Sequence, residues 1–167
     1  MRLLSALIAA TALTACSTMT EPPGGPPVAL VNAAGQSIGS VRAWQTAGGV
    51  TFRIDATGLA HGIHGIHVHA VGRCEGPDFK SAGAHWNPLG KMHGLHNPAG
   101  PHAGDLPNVE AADDDGKVAA TLLLRGATMA SLLDADGAAL VIHAGPDDYM
   151  TDPSGNSGAR IACAVIR

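Results

Sequence analysis

From Val50 to Ala56 the chain alternates Val50, Phe52, Ile54 and Ala56 with Thr51, Arg53 and Asp55. That period of two puts all four apolar side chains on one face of an extended strand. The runs Val28–Val31, Ile38–Trp44, Lys117–Leu124, Ala138–Ile142 and Ile161–Ile166 read as further short strands. Tight-turn segments at Asn32–Gln36 and Asp113–Gly116 suit hairpins. Few stretches look helical and no internal repeat is present, so the expected class is all-β, an antiparallel sandwich or barrel. Two stretches break the rhythm, about Arg73 to Asn108 and about Ala144 to Ala159. Both are rich in Gly and Pro, and in a compact domain such stretches mark functional loops.

The histidines fall where the strand rhythm fails. Eight of the nine lie between His61 and His102, and the ninth, His143, follows the apolar run Ala138–Ile142. His67 and His69 are two apart on an expected strand, so both leave one face while Val68 points to the other. Two adjacent imidazoles make a metal-binding edge. His64 has the opposite parity and reads as a hydrogen-bonded packing residue, and His61 is given no role. Along the first loop His85, His93, His102 and Asp105 follow as H-x7-H-x8-H-x2-D, three imidazoles and a carboxylate that suit tetrahedral zinc and could order the loop on binding. His96 lies in the same loop, where it could compete with His93.

The 167 residues suffice for one domain with a real core. Residues 1–15 carry one basic residue, an apolar stretch and then small residues, the pattern of a secretory signal. Leu13-Thr14-Ala15-Cys16 looks like a bacterial lipoprotein cleavage box in which Cys16 is lipidated, the alternative being an incidental thiol. The Ser-, Thr-, Pro- and Gly-rich segment up to Pro27 then reads as a tether, and residues 28–167 as the folded domain. Losing residues 1–15 removes only Arg2 and takes the formal charge from -4 to about -5. Together with 3% aromatic residues, this excludes a nucleic-acid binder. In an exported chain Cys74 and Cys163 read as a disulfide closing about 90 residues. Chain entropy assigns such a crosslink on the order of 4 kcal/mol. Two free thiols or metal thiolates are the alternative.

Gly65-Ile66-His67-Val68-His69 with Gly72 and Cys74, then Gly83-Ala84-His85-Trp86-Asn87-Pro88, His93, His102-Ala103-Gly104-Asp105, Val141-Ile142-His143 and Gly158-Ala159-Arg160-Ile161-Ala162-Cys163 together resemble the copper-zinc superoxide dismutases. The likeness runs over about residues 28–167 and is nearest to the exported bacterial branch, whose members can be lipoproteins. It implies a Greek-key β-sandwich or barrel with two long loops. It also implies one copper ion on His67, His69, His85 and His143 and one zinc ion on His85, His93, His102 and Asp105. His85 would then bridge two cations after losing both ring protons. Asp147 matches a carboxylate linking a copper ligand to a zinc ligand, here His67 and His93; adjacent Asp148 is the competing choice. Arg160 matches an arginine beside the copper that draws in and orients a small anion, its alternative being plain surface charge.

The implied activity is dismutation in the periplasm or cell envelope: one superoxide leaves as oxygen, and a second leaves as hydrogen peroxide with a proton delivered from His85. Besides superoxide, the implied partner is the lipid bilayer through the N-terminal anchor, with monomer and homodimer both open. A membrane-tethered copper or zinc carrier without turnover is the rival reading, though it needs neither a shared imidazole nor Arg160. A structural sandwich with an incidental metal is a third, because fold alone does not fix function.

Overall fold

The computed structural model describes residues 24–112 and 114–167. The signal, Cys16 and most of the tether lie outside the described residues, as does Asp113. Nine strands form: β1 (Val28–Asn32), β2 (Ser37–Thr46), β3 (Gly49–Ala56), β4 (Gly62–His64), β5 (Ile66–His69), β6 (Val109–Ala111), β7 (Val118–Arg125), β8 (Ala139–His143) and β9 (Arg160–Val165). Seven make one curled antiparallel sheet in the order β5-β8-β9-β1-β2-β3-β7, and β4 pairs with β6. β3 pairs with β7 across the whole β4–β6 excursion, and the last strand, β9, pairs with the first. These are the long crossovers of a Greek-key arrangement.

Alternation sets the core. Val50, Phe52 and Ile54 of β3 pack with Leu30, Val41, Ile66, Val68, Leu124, Leu140 and Ile142 in one buried cluster. Every residue of β8 is buried, because both of its faces are covered, as in a strand between two layers. Leu140 and Ile142 face the main core, while Ala139 and Val141 pack with Phe79, Ala82 and Cys163 in a smaller cluster under the first long loop. Cys74 and Cys163 form a disulfide that ties this loop to β9.

Four local features differ from the expectation, the first being β6, which falls outside every expected strand. Residues 62–69 are two strands rather than one: the chain leaves β4 at Gly65 and joins β8 as β5. Gly65 N–H donates to Gly145 O, and a Cβ there would stand 2.8 Å from the Ser157 side chain. Only a residue without a side chain turns so close to the second loop. A four-residue helix, α1 (Met129–Leu132), also forms, capped by Thr128, whose hydroxyl accepts the Ser131 N–H while the Ser131 hydroxyl accepts the Thr128 N–H. The first loop contains a 3-10 turn at Lys80–Ala82. Both are too short to leave a hydrophobic period in the sequence.

Candidate metal centre

The centre lies on the outer face of the sheet, opposite the core. His67 of β5 pairs with Val141 of β8 and His69 with Ala139, so both imidazoles leave on the side of the sheet that the loops cover. At the end of β8 the register with β9 slips: Ile142 pairs with Ala162, but His143 pairs with Arg160. This bulge re-aims His143 toward His67 and sets Arg160 beside it. The first loop then lies along β5. Val68 N–H donates to Gly104 O, Trp86 N–H to Val68 O and Ala70 N–H to Ala84 O, which sets His85 against His69 and Asp105 against His67 in isolated bridges.

Two ligand sets result. Ring atoms of His67, His69, His85 and His143 lie within 4.8 Å of one another, all buried. The second set converges on Asp105 Oδ1, which is 3.0 Å from His85 Nδ1, 3.1 Å from His93 Nδ1 and 3.4 Å from His102 Nδ1. Asp105 Oδ2 accepts the backbone N–H groups of Gly94 and His102, so the carboxylate is fixed with Oδ1 toward the rings. His67 also reaches the second group, but its Nε2 is taken by Asp147. His102 Nδ1, 3.3 Å from His85 Nδ1, completes that set better.

Partners of the remaining ring nitrogens decide which atoms are bare. His67 Nε2–H donates to Asp147 Oδ2 at 2.8 Å, His69 Nδ1–H to Gly83 O at 2.9 Å and His143 Nδ1–H to Gly158 O at 3.2 Å. Each partner can only accept, so each proton is placed and the opposite nitrogen carries a lone pair. His67 Nδ1, His69 Nε2, His85 Nε2 and His143 Nε2 are buried with no hydrogen-bond partner. Four orphaned acceptors whose ring atoms lie within 4.8 Å of one another make a donor set for a cation. The donor sets fit a copper ion at the four bare nitrogens and a zinc ion at the three Nδ1 atoms with the carboxylate.

The electrostatics separate the two sides. Burial pushes the imidazoles of His67, His69 and His143 down to about 4, 2 and 3, and for His67 it outweighs the hydrogen bond to Asp147. For His93 the order reverses. Burial would lower it, but hydrogen bonds to Asp105 and Asp147 push it up to about 9. Although burial opposes it, the hydrogen bonds from His85 and His93 hold the Asp105 carboxyl well below the usual carboxylate range.

Asp147 spans the sets, with Oδ2 on His67 and Oδ1 3.0 Å from His93 Nε2. Asn108 fixes it, accepting the Asp147 N–H through Oδ1 and donating from Nδ2 to Asp147 O. Asp148 instead braces its own loop, accepting from Met150, Thr151 and Asn156. Arg160 donates to Phe79 O and Gly83 O, both at 2.7 Å, and the second carbonyl is the one that orients His69. His64 is buried between His143 O and Ala60 O at 2.7 and 2.8 Å, a packing role as expected, although the reason is the switch at Gly65 and not strand parity. His96 does not compete with His93: its exposed ring lies against Tyr149, 5.0 Å between centroids. His61 is exposed. Sequence reasoning missed the carbonyls of Gly83 and Gly158, Asn108 and the small space at Gly155. Backbone acceptors leave no mark in a sequence.

The family model for copper/zinc superoxide dismutase (SODC) matches residues 37–166. The chain is 48% identical over 144 residues to Cu-Zn superoxide dismutase 2 of Aquifex aeolicus, covering 83% of this chain and 84% of that one. It is 44% identical to the superoxide dismutase-like protein YojM of Bacillus subtilis, over 83% and 74% of the two chains. Among solved structures, a superoxide dismutase-like protein from Bacillus subtilis superposes with a TM-score of 0.81 at 43% identity, covering 85% of this chain and 99% of that one. The Cu/Zn superoxide dismutase from Brucella abortus gives 0.71 at 31% identity, with 85% and 99% covered. With a curled antiparallel sheet, two ligand sets meeting at His85 and a family match over most of its length, the chain belongs to the copper/zinc superoxide dismutases.

Proposed function

We propose that His67 Nδ1, His69 Nε2, His85 Nε2 and His143 Nε2 hold copper. His85 Nδ1, His93 Nδ1, His102 Nδ1 and Asp105 Oδ1 hold zinc, in a dismutase tethered in the bacterial cell envelope through a lipidated Cys16. The reaction is the family's, superoxide to oxygen and hydrogen peroxide. The observation that carries the assignment is the double engagement of His85. Its Nε2 is a bare, buried nitrogen of one set, and its Nδ1 stands 3.0 Å from Asp105 and 3.3 Å from His102 in the other.

When bound, copper supplies a one-electron carrier cycling between two oxidation states, and zinc a fixed positive charge. The chain does the rest. Arg160 presents a guanidinium locked by two carbonyls beside His143, an anion-orienting group in an otherwise acidic protein. Because Gly83 O accepts from both Arg160 and His69, the anion site and a ligand share one anchor. His85 Nε2 would take up one proton and give it to the second superoxide, the other proton of hydrogen peroxide coming from solvent. Asp147 keeps the protons of His67 and His93 on their outer nitrogens.

The purified, metal-loaded protein is expected to hold one copper and one zinc per chain and to remove superoxide in steady state. Full metal content without turnover would favour the carrier. Sedimentation of the same sample separates monomer from homodimer. For location, the support is the leader pattern, the box ending at Cys16 and the disulfide, a bond that persists in oxidising compartments. Cys16→Ser should release the protein from washed membranes; a variant that stays bound argues against the anchor.

A further inference from the structure

Each ring on the metal-facing side has an acceptor that fixes its proton, and one pairing has no assigned role. His67 and His93 use Asp147, His69 uses Gly83 O and His143 uses Gly158 O; His85, shared by both sets, needs none. His102 is left. Its Nε2 lies 3.7 Å from the Asp152 carboxylate Oδ1. The same oxygen accepts the backbone N–H of His93 at 2.7 Å. Asp152 belongs to the second long loop, whereas His93 and His102 belong to the first.

We infer that Asp152 is a positioning residue for the zinc side: through Oδ1 it clamps the His93 backbone and holds the His102 ring with its proton on Nε2 and its lone pair on Nδ1. At 3.7 Å the contact with His102 is an electrostatic pairing rather than a hydrogen bond. It selects a tautomer nonetheless. A neutral imidazole has one N–H: Asp105 Oδ1, 3.4 Å from Nδ1, favours hydrogen on that nitrogen, and the Asp152 carboxylate opposite Nε2 offsets it by favouring hydrogen on Nε2, the form whose Nδ1 can ligate. Without that charge Asp105 alone biases the proton, toward Nδ1, and the form with Nδ1–H cannot ligate through that atom. Asp152 thus does from the outside for His102 what buried Asp147 does for His93. Its half-exposed carboxylate makes it replaceable without opening the core.

The inference rests on the zinc assignment above, and the experiment separates the two. Zinc affinity is measured by competition with a chromophoric chelator for the unaltered chain, Asp152→Asn, Asp152→Ala and His102→Ala. Ring nitrogen-15 shifts of His102 are recorded on the zinc-free, disulfide-intact protein. Asp152→Asn keeps an oxygen for the His93 N–H and removes the charge. It should bind zinc about tenfold more weakly, the lower end of the range for lost outer partners, and its His102 shifts should move toward the Nδ1–H form. Asp152→Ala, which also loses the His93 clamp, should be weaker still. If Asp152→Asn stays within twofold, or loses affinity with unchanged His102 shifts, Asp152 is only a loop brace and the inference fails. If His102→Ala itself leaves zinc affinity unchanged, the zinc assignment fails, and this inference with it.

Discussion

Breaking the Cys74–Cys163 disulfide tests how far the first loop depends on its anchor to β9. The bond joins residues 89 apart, and for a loop that long the chain-entropy model gives about 4.6 kcal/mol of stabilisation through the unfolded state. Unfolding a domain of roughly 140 residues carries ~0.3 kcal/mol per kelvin of entropy near the midpoint, so the loss corresponds to about 15 °C in Tm. Cys74→Ala with Cys163→Ala adds a small cavity beside Val141 and Phe79 and should fall slightly further than thiol reduction of the native chain. Scanning calorimetry of the metal-free protein is the direct assay, since a bound metal would tie the same loop by another route. The loosened segment also carries Phe79 O and Gly83 O, which hold Arg160 three positions before Cys163 on β9. Steady-state activity of the metal-loaded, reduced protein should therefore fall at unchanged copper content. A Tm loss under about 5 °C in the metal-free protein would refute the entropic reasoning.

Gly155→Ala should weaken zinc binding by ~10-fold or more: at φ +61 an added Cβ would stand 1.7 Å from Asp147 Oδ1 and 2.8 Å from His93 Nε2. Chelator competition within twofold of the unaltered chain would contradict this. Zinc uptake at pH 7.5 should release a proton from His93, whose imidazole is pushed up to about 9. Since a raised pKa favours the protonated form, proton competition is strongest below pH 9 and zinc affinity rises with pH up to it. In the metal-free fold the same shift contributes stability that is complete below ~6.5, the usual histidine value, and fades as pH climbs through about 9. Calorimetry in two buffers of different ionisation enthalpy that finds no proton release would count against it. Arg160→Ala should lower the rate roughly tenfold at low salt, with the gap narrowing as salt rises, and should keep its copper; full activity at low salt removes the steering role.

The strands were legible because period-two runs ended by Gly, Asn and Asp have few other solutions, and β3 buries Val50, Phe52, Ile54 and Ala56 as its alternation requires, with Thr51 covered as well. The clustering side chains of the candidate metal centre were legible for a different reason: imidazole and carboxylate groups are the chemistry, so the residue type is itself the signal. What stayed hidden is carried by backbone. The split at Gly65 depends on pairing with two different partner strands, and the bulge at His143 depends on register with β9. The acceptors that choose each tautomer at His69 and His143 are carbonyls supplied by loop conformation. Asp152 was visible as an acid in a loop, but nothing in its spacing says that it faces His102.

The two ligand sets meet at one ring yet are prepared by opposite physics. On the side proposed for copper, burial disfavours the charged form: it pushes His67, His69 and His143 down to about 4, 2 and 3, so near neutral pH their bare nitrogens need no deprotonation before ligation. On the zinc side, carboxylates gather charge: Asp105 and Asp147 raise His93 to about 9 while remaining ionised themselves. A cation entering there replaces a proton already held by the same carboxylates. At the site proposed for zinc, a cation would thus compete with the proton that Asp105 and Asp147 favour on His93, whereas the site proposed for copper presents buried lone pairs. It follows that, with each metal added alone to the metal-free protein, lowering pH from 8 to 6 should weaken zinc binding far more than copper binding, because only the set around His93 then holds a proton that the metal must displace. Parallel losses in the two affinities would mean that a common change in the fold, and not the separate acidities of the rings, governs both.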